Sequence, residues 1–414
     1  MDCDGGKDFL MSYGMDPNGG LGFFPSKAET DIWMRRVNDH YEYICIYVDD
    51  LVICSKEPQG IIDKLSGHHK FNLKGAGPIH FHLGCDYFKD HDNTLCYGPR
   101  RYIKKMIQDF ERMFGHKPRA YTSPLEKGDH PETDDSDILE LDGIKQYQSI
   151  IGSLQWAVQL GRVDITTAVM SLSSFRAAPR KGHLQRAKRV VGYLSKLRNA
   201  VIRVRTEMPD FSMIPLQSYD WSHTVYAGAK ELLPTDAPTP LGNPVLHTTY
   251  VDANLHHDIL TGRSVTGILH MFNKTPIDWY SKKQSTIETA TYGSEFMAAR
   301  TATEQIISNR TALRYLGIPI QGPSFLFGDN RSVVDSSSIP QSKLSKRHVA
   351  LSYHRVREAV AAGVLRFEWI PGPDNPADIL SKHWGYQQVC DQLHALFFMP
   401  DNNAADDGDD EQQP

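Results

Sequence analysis

The chain has 414 residues, enough for two or three domains. Hydrophobic residues make up 40% and charged residues 23%, the composition of a globular protein. No apolar run reaches the ~18 residues that span a membrane, and MDCDGGKDFLMSYG lacks both the basic and the apolar region of a secretory signal. The formal net charge is −5, but residues 401–414 hold six acidic residues and no basic one; without them it is about +1. Such a tail is expected to be disordered, and it hides the local basic clusters of the body. Cys3, Cys45, Cys54, Cys85, Cys96 and Cys390 form no C-x-x-C pair, which argues against a zinc site. Cys45 and Cys54 lie in apolar runs and are expected to be reduced core residues. This fits an intracellular setting, cytoplasmic or nuclear.

The first readable element is YEYICIYVDDLVICSK (41–56), two β-rich runs around Asp49 and Asp50. It predicts a hairpin with acids at its turn, its first strand buried on both faces. LKGAGPIHFHLGCDYF (73–88) predicts a turn and then a strand. The acidic stretch 126–146 reads as a linker or exposed loop. From Tyr147 to Leu160, Ile150, Ile151, Leu154, Ala157 and Val158 recur at helical spacing. A basic helix is expected from about Arg180 to Arg198, with Leu184, Val190, Val191 and Leu194 on its buried side.

The proline-rich stretch 231–245 marks a loop. Strands are predicted after it at 247–252, 264–272 and 276–281, then a helix near 294–316 and a strand at 323–329. A short helix, a longer one near 345–362, a strand at 364–370 and a last helix from about Pro376 complete the order β-β-β-α-β-α-α-β-α.

Four acids fall at strand ends and helix starts in this string: Asp252, Glu295, Asp329 and Asp378. Singly each has an ordinary reading, as a turn aspartate or as a helix-start acid favoured by the dipole. Together, on one sheet edge, they would repel one another unless they held metal. Two Mg²⁺ ions about 4 Å apart can clamp the attacking and leaving oxygens of a phosphodiester, and such hard cations take carboxylate ligands.

TTYVDA, STIETATYGSEFMAAR, FGDNRSVV and WIPGPDNPADILSK resemble the ribonuclease H domain of copia-type retrotransposon Pol polyproteins, over roughly residues 216–390. The resemblance implies that Asp252, Glu295, Asp329 and Asp378 bind two Mg²⁺, with Mn²⁺ as a substitute, and that the domain cuts RNA in an RNA–DNA hybrid. Glu288 is a rival for the Glu position; Glu295 is preferred because it stands in SEFMAA, as the family pattern has it. His348 and His354, in SKRHVALSYHRVRE, fall in a basic helix resembling the family's. His354 is carried as a candidate proton donor or aid to product release, beside the plainer reading of a surface histidine.

YVDD at Tyr47–Asp50 resembles the catalytic hairpin of reverse transcriptases, and residues 73–88 the strand that holds a primer end. Only 48 residues precede Asp49, and the family's fingers and third palm aspartate are not found there. The polymerase part is therefore expected to be truncated and its activity lost, with other parts of the polyprotein as partners. Arg180, Lys181, Arg186, Lys188 and Arg189 of the basic helix, with Arg347 and Arg355, are candidate phosphate contacts. A solvated helix face is the alternative for the first five.

The expected fold is α/β and α+β: a truncated reverse-transcriptase palm and thumb (1–125), a linker and helical connection (126–215), a ribonuclease H-like mixed five-stranded sheet with flanking helices (216–392) and an acidic tail (393–414). Two other readings stay open, an inactive nucleic-acid-binding pseudoenzyme and a decayed retroelement product.

Overall fold

The computed structural model describes residues 20–68, 73–215, 219–344 and 346–400. Cys3 and the acidic stretch 401–414 lie outside them. The chain divides into two compact units. One comprises residues 1–79, 232–246 and 305–322; the other comprises 80–231, 247–304 and 323–414.

In the first unit, β1 (Phe24–Pro25), β2 (Ile32–Val37), β3 (His40–Tyr47) and β4 (Asp50–Cys54) form an antiparallel sheet in that order. Helix α1 (Pro58–His68) follows and adds Ile61 and Leu65, one helical turn apart, to a core with Leu21, Phe23, Trp33 and Ile44. The β3–β4 hairpin forms where expected. β3 is not buried on both faces: Glu42 and Ile44 are buried, and the residues alternating with them are only partly covered. Glu42 is buried because Arg35 and Ser55 bond its carboxylate. Cys54 is exposed and Cys45 half-buried, so neither is the core cysteine anticipated; Cys85 and Cys96 are.

In the second unit, β5 (Phe81–His82), β6 (Cys85–Lys89) and β7 (Leu95–Gly98) precede α2 (Arg100–Phe114), α3 (Leu141–Gln159), α4 (Thr166–Ser173), α5 (Lys181–Lys196) and β8 (Ile202–Arg203). The strand expected at 73–88 is two strands, because Leu83 and Gly84 both take positive φ and close a two-residue hairpin turn. Sheet order here is β5-β6-β7-β8.

The remainder is β9 (His247–Asp258), β10 (Arg263–Phe272), β11 (Thr275–Lys283), α6 (Thr291–Tyr315), β12 (Ser324–Gly328), α7 (Arg331–Ser338), α8 (Ala350–Ala361), β13 (Leu365–Trp369), α9 (Asp378–Ser381) and α10 (Tyr386–Leu396). The predicted element order is present with two differences: β9 runs on to Asp258 where the strand was expected to end at 252, and the single last helix is two, α9 and α10. These strands make one five-stranded sheet in the order β11-β10-β9-β12-β13. β9 is antiparallel to β10 and parallel to β12, and β12 is parallel to β13.

The predicted border between helical connection and C-terminal domain is not a border in packing. One core joins Ile103 of α2, Tyr147 and Leu154 of α3, Val190 of α5, Leu269 of β10, Ile379 and Leu380 of α9 and Leu393 of α10. Inside it Arg162, with no exposure, bonds Asp164 through two nitrogens at 3.0 and 2.6 Å, and Tyr193 donates to Asp164 at 2.7 Å. Nor is 126–146 a loose linker throughout: α3 starts at Leu141, and the backbone bridges Ile138 to Arg180. Residues at the start of the stretch expected as a tail from 393 are packed: Phe398 pairs with Val201 by two backbone hydrogen bonds. Among the described residues no helix is long and apolar enough to cross a membrane.

Candidate active site

β9 carries HTTYVD, β-branched and aromatic residues suited to a central strand. Its parallel neighbour β12 pairs Phe327 with Tyr250, and continuing that register sets Asp329 beside Asp252. Asp329 thus follows the last residue of β12, while Asp252 lies midway along β9, six residues before that strand ends. Glu295 comes from the fifth residue of α6 and accepts the backbone N–H of Ala253. Each of the three offers an oxygen within 4.8 Å of the others.

Asp378, the first residue of α9, reaches the same place because α9 lies directly on β10. A Cβ on Gly267, the residue paired with Asp252, would stand 2.7 Å from the Ala377 carbonyl and 2.9 Å from the Ser381 nitrogen. Only glycine permits that approach. Buried Asn375 holds the preceding loop by donating to the Val251 carbonyl at 2.9 Å. Ser381 donates to Asp252, and the Lys382 ammonium lies 2.7 Å from Asp378 Oδ1 and 3.3 Å from Asp252 Oδ2. On the other side the Trp369 indole donates to the Asp329 carbonyl at 2.9 Å.

Burial, reinforced by the charges of Asp252 and Asp329, holds the Glu295 carboxyl well above the usual range. Burial and then Asp252 also raise Asp329. Asp378 is pushed up to about 6 by burial and by Asp252, against the pull of Lys382. For Lys382 burial opposes the charge, but Asp252 and Asp378 outweigh it and raise its pKa. Negative charge is therefore crowded and costly here, and the donors are all hard oxygens. That is the condition a divalent cation of the Mg²⁺ kind relieves.

Glu288, the rival to Glu295, is buried elsewhere: its carboxylate bonds His348 Nε2 at 2.9 Å. His354 is exposed on α8 and bonds the Tyr226 hydroxyl at 2.6 Å rather than any of the four acids. Arg355 is spent on Glu304 at 2.7 Å and Glu358 at 3.0 Å; Arg347 is exposed. The basic helix α5 faces the acidic stretch before α3. Arg186 takes Asp129 at 2.9 Å and Asp134 at 2.6 Å, Arg189 takes Glu126 at 3.0 Å, and Lys181 takes Asp137 at 2.7 Å. Arg180 bonds the Ser136 carbonyl and Lys188 covers the Phe114 ring. Arg180, Lys181, Arg186 and Arg189 hold a loop, which composition could not reveal; partners at that separation are invisible to a count of charges.

Asp49 and Asp50 are exposed at the β3–β4 turn, where Val48 takes φ +52°, a costly conformation for a β-branched residue. Among the described residues neither belongs to a group of three metal-competent side chains. Sequence reasoning missed Gly267, Asn375, Ser381 and Lys382. The only signal was spacing: Lys382 stands four residues after Asp378, one helical turn.

A five-stranded mixed sheet in this order, with Asp252 and Asp329 side by side on its central parallel pair, is the arrangement expected of a ribonuclease H-like fold. The chain is homologous to retrovirus-related Pol polyproteins from transposons. It is 26% identical over 365 residues to the Pol polyprotein from transposon RE1 of Arabidopsis thaliana, covering 87% of this chain and 22% of that protein. With transposon TNT 1-94 of Nicotiana tabacum it shares 25% identity over 377 residues, 87% of this chain and 25% of that protein. The chain thus spans a quarter or less of the length of these relatives. Similar solved structures include LC11-RNase H1 in complex with RNA/DNA hybrid (17% identity, 33% of this chain, 93% of that one, TM-score 0.27). Another is the foamy viral protease-reverse transcriptase with RNA/DNA hybrid (12% identity, 78% of this chain, 41% of that one, TM-score 0.21). No family model matches the chain.

Proposed function

We propose that this chain is the ribonuclease H-bearing part of a retroelement Pol polyprotein, and that it hydrolyses the RNA strand of an RNA–DNA hybrid with Mg²⁺. The observation that carries this is the convergence of Asp252, Glu295 and Asp329 within 4.8 Å, with Asp378 drawn to Asp252 by Lys382. In this reading Asp252 is the shared ligand, Glu295 and Asp329 complete one cation position, and Asp378 serves a second with Asp252. Bound there, divalent ions supply charge neutralisation and an activated water at the scissile phosphate. The chain itself fixes the carboxylates: the Ala253 N–H orients Glu295, Ser381 orients Asp252, and Trp369 ties down the Asp329 backbone.

The experiment is cleavage of a hybrid carrying labelled RNA. Mg²⁺-dependent cutting that EDTA and Asp329→Asn abolish is expected. Tight hybrid binding without cutting in Mg²⁺ or Mn²⁺ would instead establish a pseudoenzyme.

A further inference from the structure

The acid cluster has two unequal halves. On one side Asp252, Glu295 and Asp329 offer oxygens close enough to share a single cation. On the other, the gap between Asp252 and Asp378 already contains a positive charge of the chain. The Lys382 Nζ lies 2.7 Å from Asp378 Oδ1, 3.3 Å from Asp252 Oδ2 and 3.4 Å from Asp252 Oδ1. These are N–H···O distances, and an ammonium has three donors to make them. A Mg²⁺ bridging the two carboxylates would need the same oxygens at about 2.1 Å. Ammonium and ion therefore exclude each other.

The lysine is not locked in. Its side chain is 39% exposed, whereas Asp252 is 2% exposed. Its backbone follows directly on α9, whose seat on β10 is fixed by the close approach at Gly267, so only the flexible four-carbon stem needs to move. What draws it out must be an anion arriving at the mouth of the site, and a phosphodiester is such an anion; lysine binds phosphate as a mobile point charge.

Resting on the reading of this site as a two-cation nuclease centre, we infer that Lys382 is a resident counter-ion holding the second cation position closed until nucleic acid binds. The free protein takes one divalent ion, among Asp252, Glu295 and Asp329. The second enters between Asp252 and Asp378 only when a backbone phosphate has taken over the Lys382 ammonium. An unproductive pair of ions is thereby avoided in the empty enzyme.

The test is the stoichiometry of Mn²⁺ binding to the full chain, by calorimetry and by electron paramagnetic resonance, with thermal melts to verify folding. Wild type is expected to bind one ion alone and two with an uncleavable hybrid of DNA and 2′-O-methyl RNA. Lys382→Met and Lys382→Ala are expected to bind two without nucleic acid, with spin coupling between them, and adding Asp378→Asn should return the count to one. Folded Lys382 variants that bind one ion alone overturn the inference, for the lysine is then a structural ion pair only. Two ions in the free wild type overturn it while leaving the nuclease reading intact. No Mn²⁺ bound by wild type, and no effect of Asp252→Asn, overturns the nuclease reading and this inference with it.

Discussion

Gly267 stands directly opposite Asp252 in the β9–β10 ladder, and a methyl group on it would press to within 2.7 Å of the Ala377 carbonyl. The absence of one side chain on β10 thus sets the height at which α9 rides, and with it the reach of Asp378 and Lys382. Gly267→Ala is expected to push α9 away and cost about 1–3 kcal/mol of stability, as overpacking does. Activity should fall further than stability explains. Denaturant melts and hybrid cleavage measured together check this.

The crowded carboxylates give the apoprotein a removable repulsion. Asp329→Asn is expected to raise the melting temperature in EDTA, because Glu295 loses a charge that raises its pKa. The same change should abolish the stabilisation that wild type gains from millimolar Mg²⁺. Melting curves of both proteins, with EDTA and with Mg²⁺, give the result.

Supporting residues should matter by a smaller factor than ligands. Ser381→Ala and Asn375→Ala remove, respectively, a donor to Asp252 and the tie to the Val251 carbonyl. Each is expected to weaken Mg²⁺-dependent activity by ~10–100-fold. Titration of rate against Mg²⁺ concentration separates weaker metal binding from a lower maximal rate.

Two buried histidines set an acid limb of stability. Burial lowers His257 to about 4, and burial together with His257 lowers His383 to about 3; Ser171 bridges their Nε2 atoms at 3.4 and 3.3 Å. Both folded values lie below the ordinary 6.5, so the folded state favours neutral rings. Their contribution is complete above pH 6.5, declines as the pH falls from there toward about 4 and 3, by up to about 1.4 kcal/mol per pH unit per histidine, and levels off below. Urea midpoints measured from pH 7 to 4 should fall, and the fall should be shallower in His383→Asn.

Arg186 serves the fold. Its bonds to Asp129 and Asp134 are partly buried, so Arg186→Ala is expected to destabilise the protein. The salt dependence of hybrid binding should stay unchanged in that variant. A decrease of about one in the salt slope would mark Arg186 as a phosphate contact after all.

Most of the C-terminal element string was legible in the sequence because period and turn chemistry are local signals. His247–Asp252 is rich in β-branched residues, and Glu295, Asp329 and Asp378 stand at helix starts or just past a strand end, although Asp252 lies inside β9. The choice of Glu295 over Glu288 needed the family pattern, and in the structure Glu295 lies with Asp252 while Glu288 faces His348. What stayed hidden depends on approach in space. The role of Gly267 exists only once α9 lies on β10, and Lys382 matters only because that contact delivers it to Asp252. The setting of the basic helix was hidden for the same reason: Asp129 and Asp134, 57 and 52 residues from Arg186, bond it from a segment that reads as a solvated linker.

The most direct measurement is anomalous diffraction from crystals of the wild-type chain soaked in Mn²⁺. A peak within ligand distance of Asp252, Glu295 and Asp329, absent in Asp252→Asn, is predicted. Crystals that bind Mn²⁺ elsewhere while those three carboxylates stay metal-free would contradict the assignment of a nuclease centre.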